Sequence, residues 1–319
     1  MRGAAAIAAA LAAAPVSAAP PELTPPLDCD LGAVCYIQQY VDRDPGAGAR
    51  DFTCGPLAND GHKGTDFALP SLAAMTAGVD VVAAAPGVVT GVRDGMADIA
   101  LDDPEARPLD GRDCGNGLVI DHGAGWETQY CHLMRDSLAV AAGDTVERGD
   151  RLGRVGLSGA TTYPHVHLSV RHDGETVDPF APGTDECGTG AGTLWRVAPD
   201  YAPGGLIAAG FHDGLPEFDE VEAGTAAIAP IAADAPALVV WGYAFGGREG
   251  DEMALRIEGP EGFALSETQT IEKSQPQLFR AVGRRAPASG LPRGRYEGQV
   301  SLSRDGAEID ARRVSVTVE

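Results

Sequence analysis

The chain has 319 residues, of which 44% are hydrophobic and 6% aromatic, and its formal net charge is −22. This length is sufficient for two ordinary domains, and the hydrophobic content is normal for a folded protein. The acidic balance excludes nucleic acid as the expected partner, because phosphate binding requires clustered Lys and Arg side chains.

Residues 1–19 have the composition of a secretory signal peptide. Met1 and Arg2 precede an Ala-rich apolar stretch, which ends in the small residues Ala18 and Ala19 at a position suited to cleavage. The stretch is shorter than the roughly 20 residues that span a bilayer, and alanine is only weakly apolar, so a membrane anchor is disfavoured. We therefore expect an exported protein without a transmembrane anchor.

Six cysteines agree with export, because disulfides persist in oxidising compartments. Two strand-like segments, 117–122 and 126–131, flank a Gly-Ala-Gly turn and predict a β-hairpin that brings Cys114 opposite Cys131. We predict a disulfide between these two residues. The pairs that would then follow are Cys29–Cys35 and Cys54–Cys187.

Between residues 20 and 185, short β segments alternate with glycine-containing turns after a Pro-rich N-terminal extension. Two stretches, 78–92 and 142–156, share a pattern in which Val and Leu alternate between turn-forming Gly and Asp. No long segment has the 3.6-residue period of an amphipathic helix. We therefore predict a mostly β fold, with a compact antiparallel β domain over 20–185.

Two further segments complete the chain. Residues 186–224 are rich in Gly, Ala and Asp and are predicted to form a linker. Residues 225–319 contain several segments in which apolar and polar residues alternate, which is typical of a small β-sandwich. This last segment has no histidine or cysteine, so we predict an accessory domain without chemistry of its own.

The first candidate site consists of His62 and Asp66. Gly61 and Gly64 disfavour a helix, which places both side chains on a loop that enters a strand. An imidazole nitrogen and a carboxylate are both suitable zinc ligands. The spacing alone does not identify a metal site.

The second candidate is His132, at the end of the second hairpin strand. Alternation along a strand predicts that His132 shares a face with Thr128 and Tyr130, together with Trp126, and that Cys131 points to the opposite face. A single histidine at the end of a strand is more often structural than catalytic. Its significance therefore depends on the other motifs.

The third candidate is the pair His165 and His167. Period-2 alternation places both imidazoles on one face of a strand, whereas Val166, Leu168 and Val170 face the core. Two imidazoles side by side on an apolar strand suit metal binding or catalysis. The alternative is a pair of half-exposed surface histidines.

In order and spacing, these motifs resemble the lysostaphin/LytM-like family of zinc endopeptidases that act on peptidoglycan. The resemblance covers about residues 52–182. Its motifs are His62-x-x-x-Asp66, Gly115-Asn-Gly117 leading to Ile120-Asp-His-Gly123, Tyr130-x-His132-Leu133, the series Gly143, Val146, Gly149 and Gly153, then Ser158-Gly159 and His165-x-His167. It implies an antiparallel β fold with an open groove, and one zinc ion per chain held by His62, Asp66 and His167. It also implies catalytic roles for His132 and His165.

The implied roles agree with zinc chemistry. Three protein ligands leave one tetrahedral position open for water, as in catalytic zinc sites. The sequence has no His-Glu-x-x-His motif to supply a glutamate base, so His132 and His165 are the expected proton acceptor and oxyanion stabiliser, or share both tasks. Because a histidine ligand must be neutral, we expect activity to fail below about pH 6.

The resemblance implies a zinc metalloendopeptidase that hydrolyses peptide cross-links or stem peptides of peptidoglycan. Its location would be the periplasm or the cell exterior, in association with the cell wall. The alternative is a catalytically silent wall-binding regulator that activates other wall hydrolases. Such relatives typically lack some metal ligands, whereas all five key residues are present here. The domain over 225–319 would bind wall polymer or a protein partner, or stabilise the enzyme.

Overall fold

The structure is a computed structural model that describes residues 19–184, 186–188 and 192–319. Apart from Ala19, the predicted signal peptide lies outside the described residues. Over these ranges the chain forms seventeen strands, two short α-helices and one 3-10 turn, which confirms the prediction of a mostly β fold. None of the helices in the described ranges is long and apolar enough to span a membrane.

The first module precedes residue 185. Its strands are β1 (Tyr36–Gln39), β2 (Thr65–Ala68), β3 (Asp80–Val82), β4 (Gly87–Arg93), β5 (Asn116–Gly123), β6 (Trp126–Leu133), β7 (Thr145–Val146), β8 (Arg151–Arg154), β9 (His165–His172) and β10 (Glu175–Thr176), with helix α1 (Leu72–Ala77) after β2. Eight strands form one antiparallel sheet in the order β1-β2-β9-β6-β5-β4-β7, with β10 beside β9. Strands β3 and β8 form a separate antiparallel pair.

One face of the large sheet covers the core of the first module. Ile120 on β5, Tyr130 on β6 and Leu168 on β9 are fully buried there. The Tyr130 hydroxyl accepts a hydrogen bond of 2.8 Å from the Ala84 N–H, so this polar atom has a partner inside the core. The opposite face of β2, β9 and β6 carries the candidate site.

The predicted hairpin is confirmed as β5 and β6, in which Ile120 lies opposite Thr128. The Cys114–Cys131 disulfide predicted from this hairpin is also present. The other two predicted pairs are confirmed as well, Cys29–Cys35 and Cys54–Cys187.

The second module consists of two antiparallel sheets. Its strands are β11 (Gly205–His212), β12 (Ala237–Gly247), β13 (Glu252–Glu258), β14 (Ala264–Thr270), β15 (Gln275–Arg285), β16 (Gly294–Arg304) and β17 (Ala307–Val318), with helix α2 (Phe218–Ala223) and a 3-10 turn (Pro260–Gly262). The sheets have the orders β11-β12-β15 and β14-β13-β16-β17. Residues of both sheets, such as Val240, Leu255 and Val300, share one buried core, as expected for a sandwich.

The structure differs from the sequence prediction over residues 186–224. Strand β11 lies inside this predicted linker and pairs with β12 from Gly205 to His212. Leu206 and Phe211 of β11 are buried in the core of the sandwich. The assignment of residues 205–212 to a linker is therefore wrong. Its sequence is rich in Gly and Ala, which leaves little hydrophobic alternation to reveal a strand.

The two modules share a contact on the side of β1. The rings of Tyr36 on β1 and Phe245 on β12 have centroids 4.7 Å apart. The Gln38 side-chain amide donates a hydrogen bond of 3.0 Å to the carbonyl of Pro276. Because β1 is the neighbour of β2 in the large sheet, the sandwich lies close to the strand that carries Asp66.

Candidate metal centre

Three neighbouring strands bring the predicted residues together. Asp66 on β2 lies opposite His167 on β9, and Cys131 on β6 lies opposite the same histidine from the other side. His165 and His167 share the face that carries the site, as the alternation predicts. Val166, which stands between them, is fully buried in the core.

The imidazoles and the carboxylate converge within a few ångströms. His62 Nε2 lies 3.1 Å from His167 Nδ1 and 3.2 Å from Asp66 Oδ2. His167 Nδ1 lies 2.8 Å from Asp66 Oδ1. One ligand atom from each of these three residues lies within 4.8 Å of the others, and the same holds for the set His132, His165 and His167.

The ring nitrogens that face away from the cluster have their own partners. His62 Nδ1 donates to the Tyr40 carbonyl at 2.7 Å, so the lone pair of the neutral ring is on Nε2. His167 Nε2 lies 3.0 Å from Ser169 Oγ, and with the hydroxyl as acceptor the lone pair is on Nδ1. Such outer partners orient histidines that bind metals. With the nearby Asp66 carboxylate, the donor set fits a divalent cation such as zinc.

His132 reaches the cluster through a backbone feature that alternation does not predict. Its φ of 63° lies in the left-handed region. The His132 N–H donates to the Cys114 carbonyl at 2.8 Å, and its carbonyl accepts from the Gly156 N–H at 3.0 Å. The His132 and His165 rings have centroids 4.7 Å apart. The prediction that His132 shares the face of Tyr130 is wrong, because the left-handed residue interrupts the alternation.

Cys131 also lines the groove beside His132, so the predicted separation of these two residues onto opposite faces is wrong. Strand register explains its position, because Cys131 is the cross-strand partner of His167. Its sulfur is bonded to Cys114 and is not available as a thiolate ligand. The conclusion that Cys131 does not bind metal therefore stands for a different reason.

Burial and charge act in opposite directions on Asp66 and His62. Burial by itself raises the pKa of the Asp66 carboxyl, but the neighbouring His165 and His62 hold that pKa well below its usual range. Burial by itself lowers the pKa of His62, but the Asp66 carboxylate outweighs it and raises the pKa to about 9. Without metal, the cluster is therefore an ion pair between Asp66 and a protonated His62.

The other two shifted histidines stay neutral at neutral pH. Burial, reinforced by the proximity of His165 and His167, lowers the pKa of His132 to about 3. Burial also lowers the pKa of His167. His132 Nδ1 donates to the Ser158 carbonyl at 2.8 Å, so the lone pair of the neutral ring is on Nε2.

Residues 60–179 match the model of Peptidase family M23. This segment contains His62, Asp66, His132, His165 and His167. Residues 60–179 are an M23 peptidase domain. The resemblance inferred for residues 52–182 is thereby confirmed over this range.

Two relatives with described activities match part of this chain. The peptidoglycan DD-endopeptidase ShyB of Vibrio cholerae is 34% identical over 117 residues, which are 37% of this chain and 22% of ShyB. The DD-carboxypeptidase/endopeptidase Mpg of Neisseria meningitidis is 33% identical over 122 residues, which are 38% of this chain and 22% of Mpg. This chain thus spans less than a quarter of the length of these relatives.

Among solved structures, the catalytic domain of the prophage-encoded M23 protein EnpA from Enterococcus faecalis is 24% identical to this chain, with a TM-score of 0.34. The similarity covers 48% of this chain and 95% of the EnpA domain.

The M23 domain holds its histidine cluster in an open groove of about 560 Å³. All five predicted site residues line this groove. Other lining residues were not predicted from the sequence, among them Tyr163, Ser169 and Arg171. The same period-2 alternation that pairs His165 with His167 also places Ser169 and Arg171 on this face, so a signal for both was present in the sequence.

Zinc binding is expected to release about one proton at pH 7. His62 is protonated in the metal-free protein, because its pKa is about 9, and it must lose that proton to bind zinc through Nε2. Zinc affinity should therefore rise about tenfold per pH unit up to that pKa. Calorimetric titrations in two buffers of different ionisation enthalpy measure the proton count. Zinc binding without proton release at pH 7 would contradict a protonated His62.

Tyr163 contacts the candidate metal centre and was not predicted from the sequence. Its hydroxyl donates a hydrogen bond of 3.1 Å to Asp66 Oδ2, and its ring stacks on His165 with centroids 4.5 Å apart. Burial and the Asp66 charge raise the pKa of the Tyr163 phenol well above its usual value, so it remains a donor.

Tyr163→Phe is expected to weaken zinc affinity about tenfold, since the loss of an outer hydrogen bond to a ligand typically costs 10–100-fold. The variant keeps the ring that stacks on His165. Competition with a chromogenic chelator measures the zinc Kd. Tyr201→Phe is the matched control, because the Tyr201 hydroxyl donates to Asp51 instead. Equal zinc affinity in wild type and Tyr163→Phe would show that the hydrogen bond does not support the ligand.

Proposed function

We propose that this protein is an exported zinc endopeptidase that hydrolyses peptide cross-links or stem peptides of bacterial peptidoglycan. The observation that carries the proposal is the convergence of His62, Asp66 and His167 in an open groove, beside the neutral ring of His132. The peptidoglycan substrate is proposed from the names of the relatives ShyB and Mpg. Export is proposed from the three disulfides, which are typical of oxidising compartments.

His62 Nε2, an Asp66 carboxylate oxygen and His167 Nδ1 are the proposed zinc ligands. A zinc ion held by three protein ligands polarises a carbonyl oxygen and lowers the pKa of bound water to about 7. Tyr40 and Ser169 hold the two histidine rings in the orientation that binding requires. The hydrogen bond from Tyr163 to Oδ2 holds the Asp66 carboxylate in place.

His132 is the proposed proton acceptor for the attacking water. The hydrogen bond from Nδ1 to Ser158 leaves the lone pair of the neutral ring on Nε2, the atom that can accept a proton. A histidine in hydrogen-bond reach of the water typically contributes about 10²–10⁴-fold to the rate.

His165 has a different set of contacts. Its Nδ1 lies 3.0 Å from the Tyr163 carbonyl, which can only accept, so Nδ1 carries a hydrogen. Its Nε2 lies 3.4 Å from Asp66 Oδ1, beside the proposed ligands. We propose that His165 stabilises the oxygen of the scissile carbonyl as negative charge develops there.

Digestion of purified peptidoglycan tests the proposed function. Protein freed of metal by a chelator is expected to release no peptide products, and addition of about one equivalent of Zn²⁺ should restore their release. Mass spectrometry of the products identifies the bond that is cut. If the zinc-loaded protein binds peptidoglycan and releases no product, the endopeptidase proposal fails. Stimulation of another wall hydrolase under those conditions would support the silent regulator instead.

A further inference from the structure

The groove continues beyond the metal centre along β9. Side chains of one face of a strand recur every second residue, so His165, His167, Ser169 and Arg171 follow one another along the groove. Arg171 is four residues from His167, which places its Cα about 13 Å along the strand at about 3.3 Å per residue. The groove therefore has a cationic side chain at a defined distance from the proposed zinc site.

Side chains of the neighbouring strand β6 fix the orientation of the Arg171 guanidinium. Nε donates to Glu127 Oε2 at 3.3 Å, and Nη1 donates to Gln129 Oε1 at 2.6 Å. Glu127 is the cross-strand partner of Arg171, and Gln129 is that of Ser169. The side chain of Arg171 is 25% exposed, so the guanidinium is partly withdrawn from solvent.

The Nη2 group remains for a ligand, since it has no hydrogen-bond acceptor among the residues that the structure describes. Glu127 contacts the guanidinium at Nε, and its side chain is 37% exposed, so solvent screens its charge. A guanidinium presents its N–H groups as a planar fork that matches a carboxylate.

The chain as a whole is strongly acidic, with a net charge of −22. Apart from the histidines, the groove-lining residues with a positive charge are Lys63 and Arg171. Lys63 is exposed on a loop, whereas Arg171 is held by two hydrogen bonds. Of these two cations, only Arg171 has the fixed geometry of a binding site.

We propose that Arg171 is a specificity-determining residue that binds a free carboxylate of the peptide substrate. An extended peptide covers about 3.3–3.6 Å per residue, so the carboxylate would stand about four residues from the scissile bond. This proposal rests on the proposed endopeptidase function. It adds a preference for acidic over amidated wall peptides.

The test uses one cross-linked muropeptide preparation in two forms. One form keeps its free carboxyl groups, and the other has them converted to carboxamides with carbodiimide and ammonia. The zinc-loaded wild type is expected to show at least a tenfold higher kcat/KM on the free acid, since hydrogen bonds between charged groups are among the stronger ones. Arg171→Gln should lower kcat/KM on the free acid about tenfold, mainly through KM, and should change that on the amide less than twofold.

Two variants separate a shaped site from general electrostatics. Arg171→Lys keeps the charge without the planar fork, so we expect an intermediate preference. Lys63→Gln removes the other groove cation and should leave the preference unchanged. The proposal is overturned if Arg171→Gln keeps the full preference for the free acid, or if Lys63→Gln removes it to the same extent. Zinc content and Tm of each variant show whether the metal centre and the fold are intact.

Failure of the proposed function and failure of the carboxylate site give different results. If the zinc-loaded wild type cleaves neither form, the endopeptidase function fails, and the Kd of each form for the same protein then decides the carboxylate site. Tighter binding of the free acid that depends on Arg171 supports the site. Equal Kd values for the two forms overturn it.

Discussion

His167→Ala is expected to reduce bound zinc from about one ion per chain to a small fraction of that value, and to reduce peptidoglycan hydrolysis by at least about 10³-fold. His167 Nδ1 is the atom that lies close to both His62 Nε2 and the Asp66 carboxylate. Its removal leaves His62 and Asp66 as a pair, which is one ligand short of a catalytic zinc site. Elemental analysis of the purified protein measures the zinc content.

The matched control for this variant is His172→Ala on the same strand. His172 is an odd number of residues from His167, so strand alternation places it on the other face of β9. Its ring stacks on Trp126, with centroids 4.2 Å apart. Its removal should leave zinc content and activity within about twofold of wild type. Retention of a full equivalent of zinc by His167→Ala would contradict the proposed ligand set. The other residues of the cluster would then be sufficient to bind zinc.

His132→Asn is expected to retain about one zinc ion per chain and to lose about 10²–10⁴-fold in kcat. His132 is not among the proposed ligands, and its proposed task is to accept a proton through Nε2. Asparagine is the better replacement because residue 132 has a φ of 63°. Asn adopts the left-handed region more readily than most residues, whereas Ala pays for it with steric strain.

A comparison of His132→Asn with His132→Ala separates chemistry from folding. Both variants lack the proton acceptor, so both should be inactive, but only His132→Ala should show a clearly lower Tm. Zinc analysis is required for both variants. If His132→Asn keeps more than about a tenth of the wild-type kcat, His132 is not the main proton acceptor, and His165 becomes the candidate.

Protonation of His132 does not explain the expected loss of activity at acid pH. His132 stays neutral down to its lowered pKa of about 3, so it does not titrate near pH 6. As the pH falls, protons compete with zinc for His62, a proposed ligand whose pKa without metal is about 9. The expected failure of activity below about pH 6 is therefore a loss of metal, and excess zinc should shift that limit to lower pH.

The β-sandwich of the second module lies next to the candidate metal centre. Tyr163 contacts both Asp66 and His165, and it lines a small cavity together with Tyr243 and Gln277 of the second module. Tyr36 on β1 joins the same contact, because its hydroxyl accepts a hydrogen bond of 3.3 Å from the Gln277 amide. The second module thus lines a cavity beside the candidate metal centre.

Local sequence patterns were sufficient for several elements of the site. The Gly-Ala-Gly turn between two apolar segments predicted the β5–β6 hairpin and the Cys114–Cys131 bridge, because hairpin register follows from the turn. Alternation placed His165 and His167 on one face, because the side-chain period of a strand is two. These features depend on neighbours in sequence, so a single segment contains the information.

Contacts between segments that are far apart in the chain could not be predicted from the sequence. The role of Gly64 is one case: it was expected only to disfavour a helix, but a Cβ at this position would come within 2.5 Å of His167 Nε2. Strand β11 is another, since its Gly- and Ala-rich sequence becomes a strand through pairing with β12, which follows about 25 residues later.

The sequence by itself indicated the mostly β fold, the Cys114–Cys131 disulfide and the five residues that line the groove. Tertiary structure decided how those residues face the groove. The left-handed conformation of His132 is held by hydrogen bonds to Cys114 and Gly156, which come from other strands and loops. The Arg171 fork is likewise fixed by Glu127 and Gln129 across the sheet. Strand periodicity describes one chain segment, whereas side-chain orientation at an irregular position depends on the partners that the fold supplies.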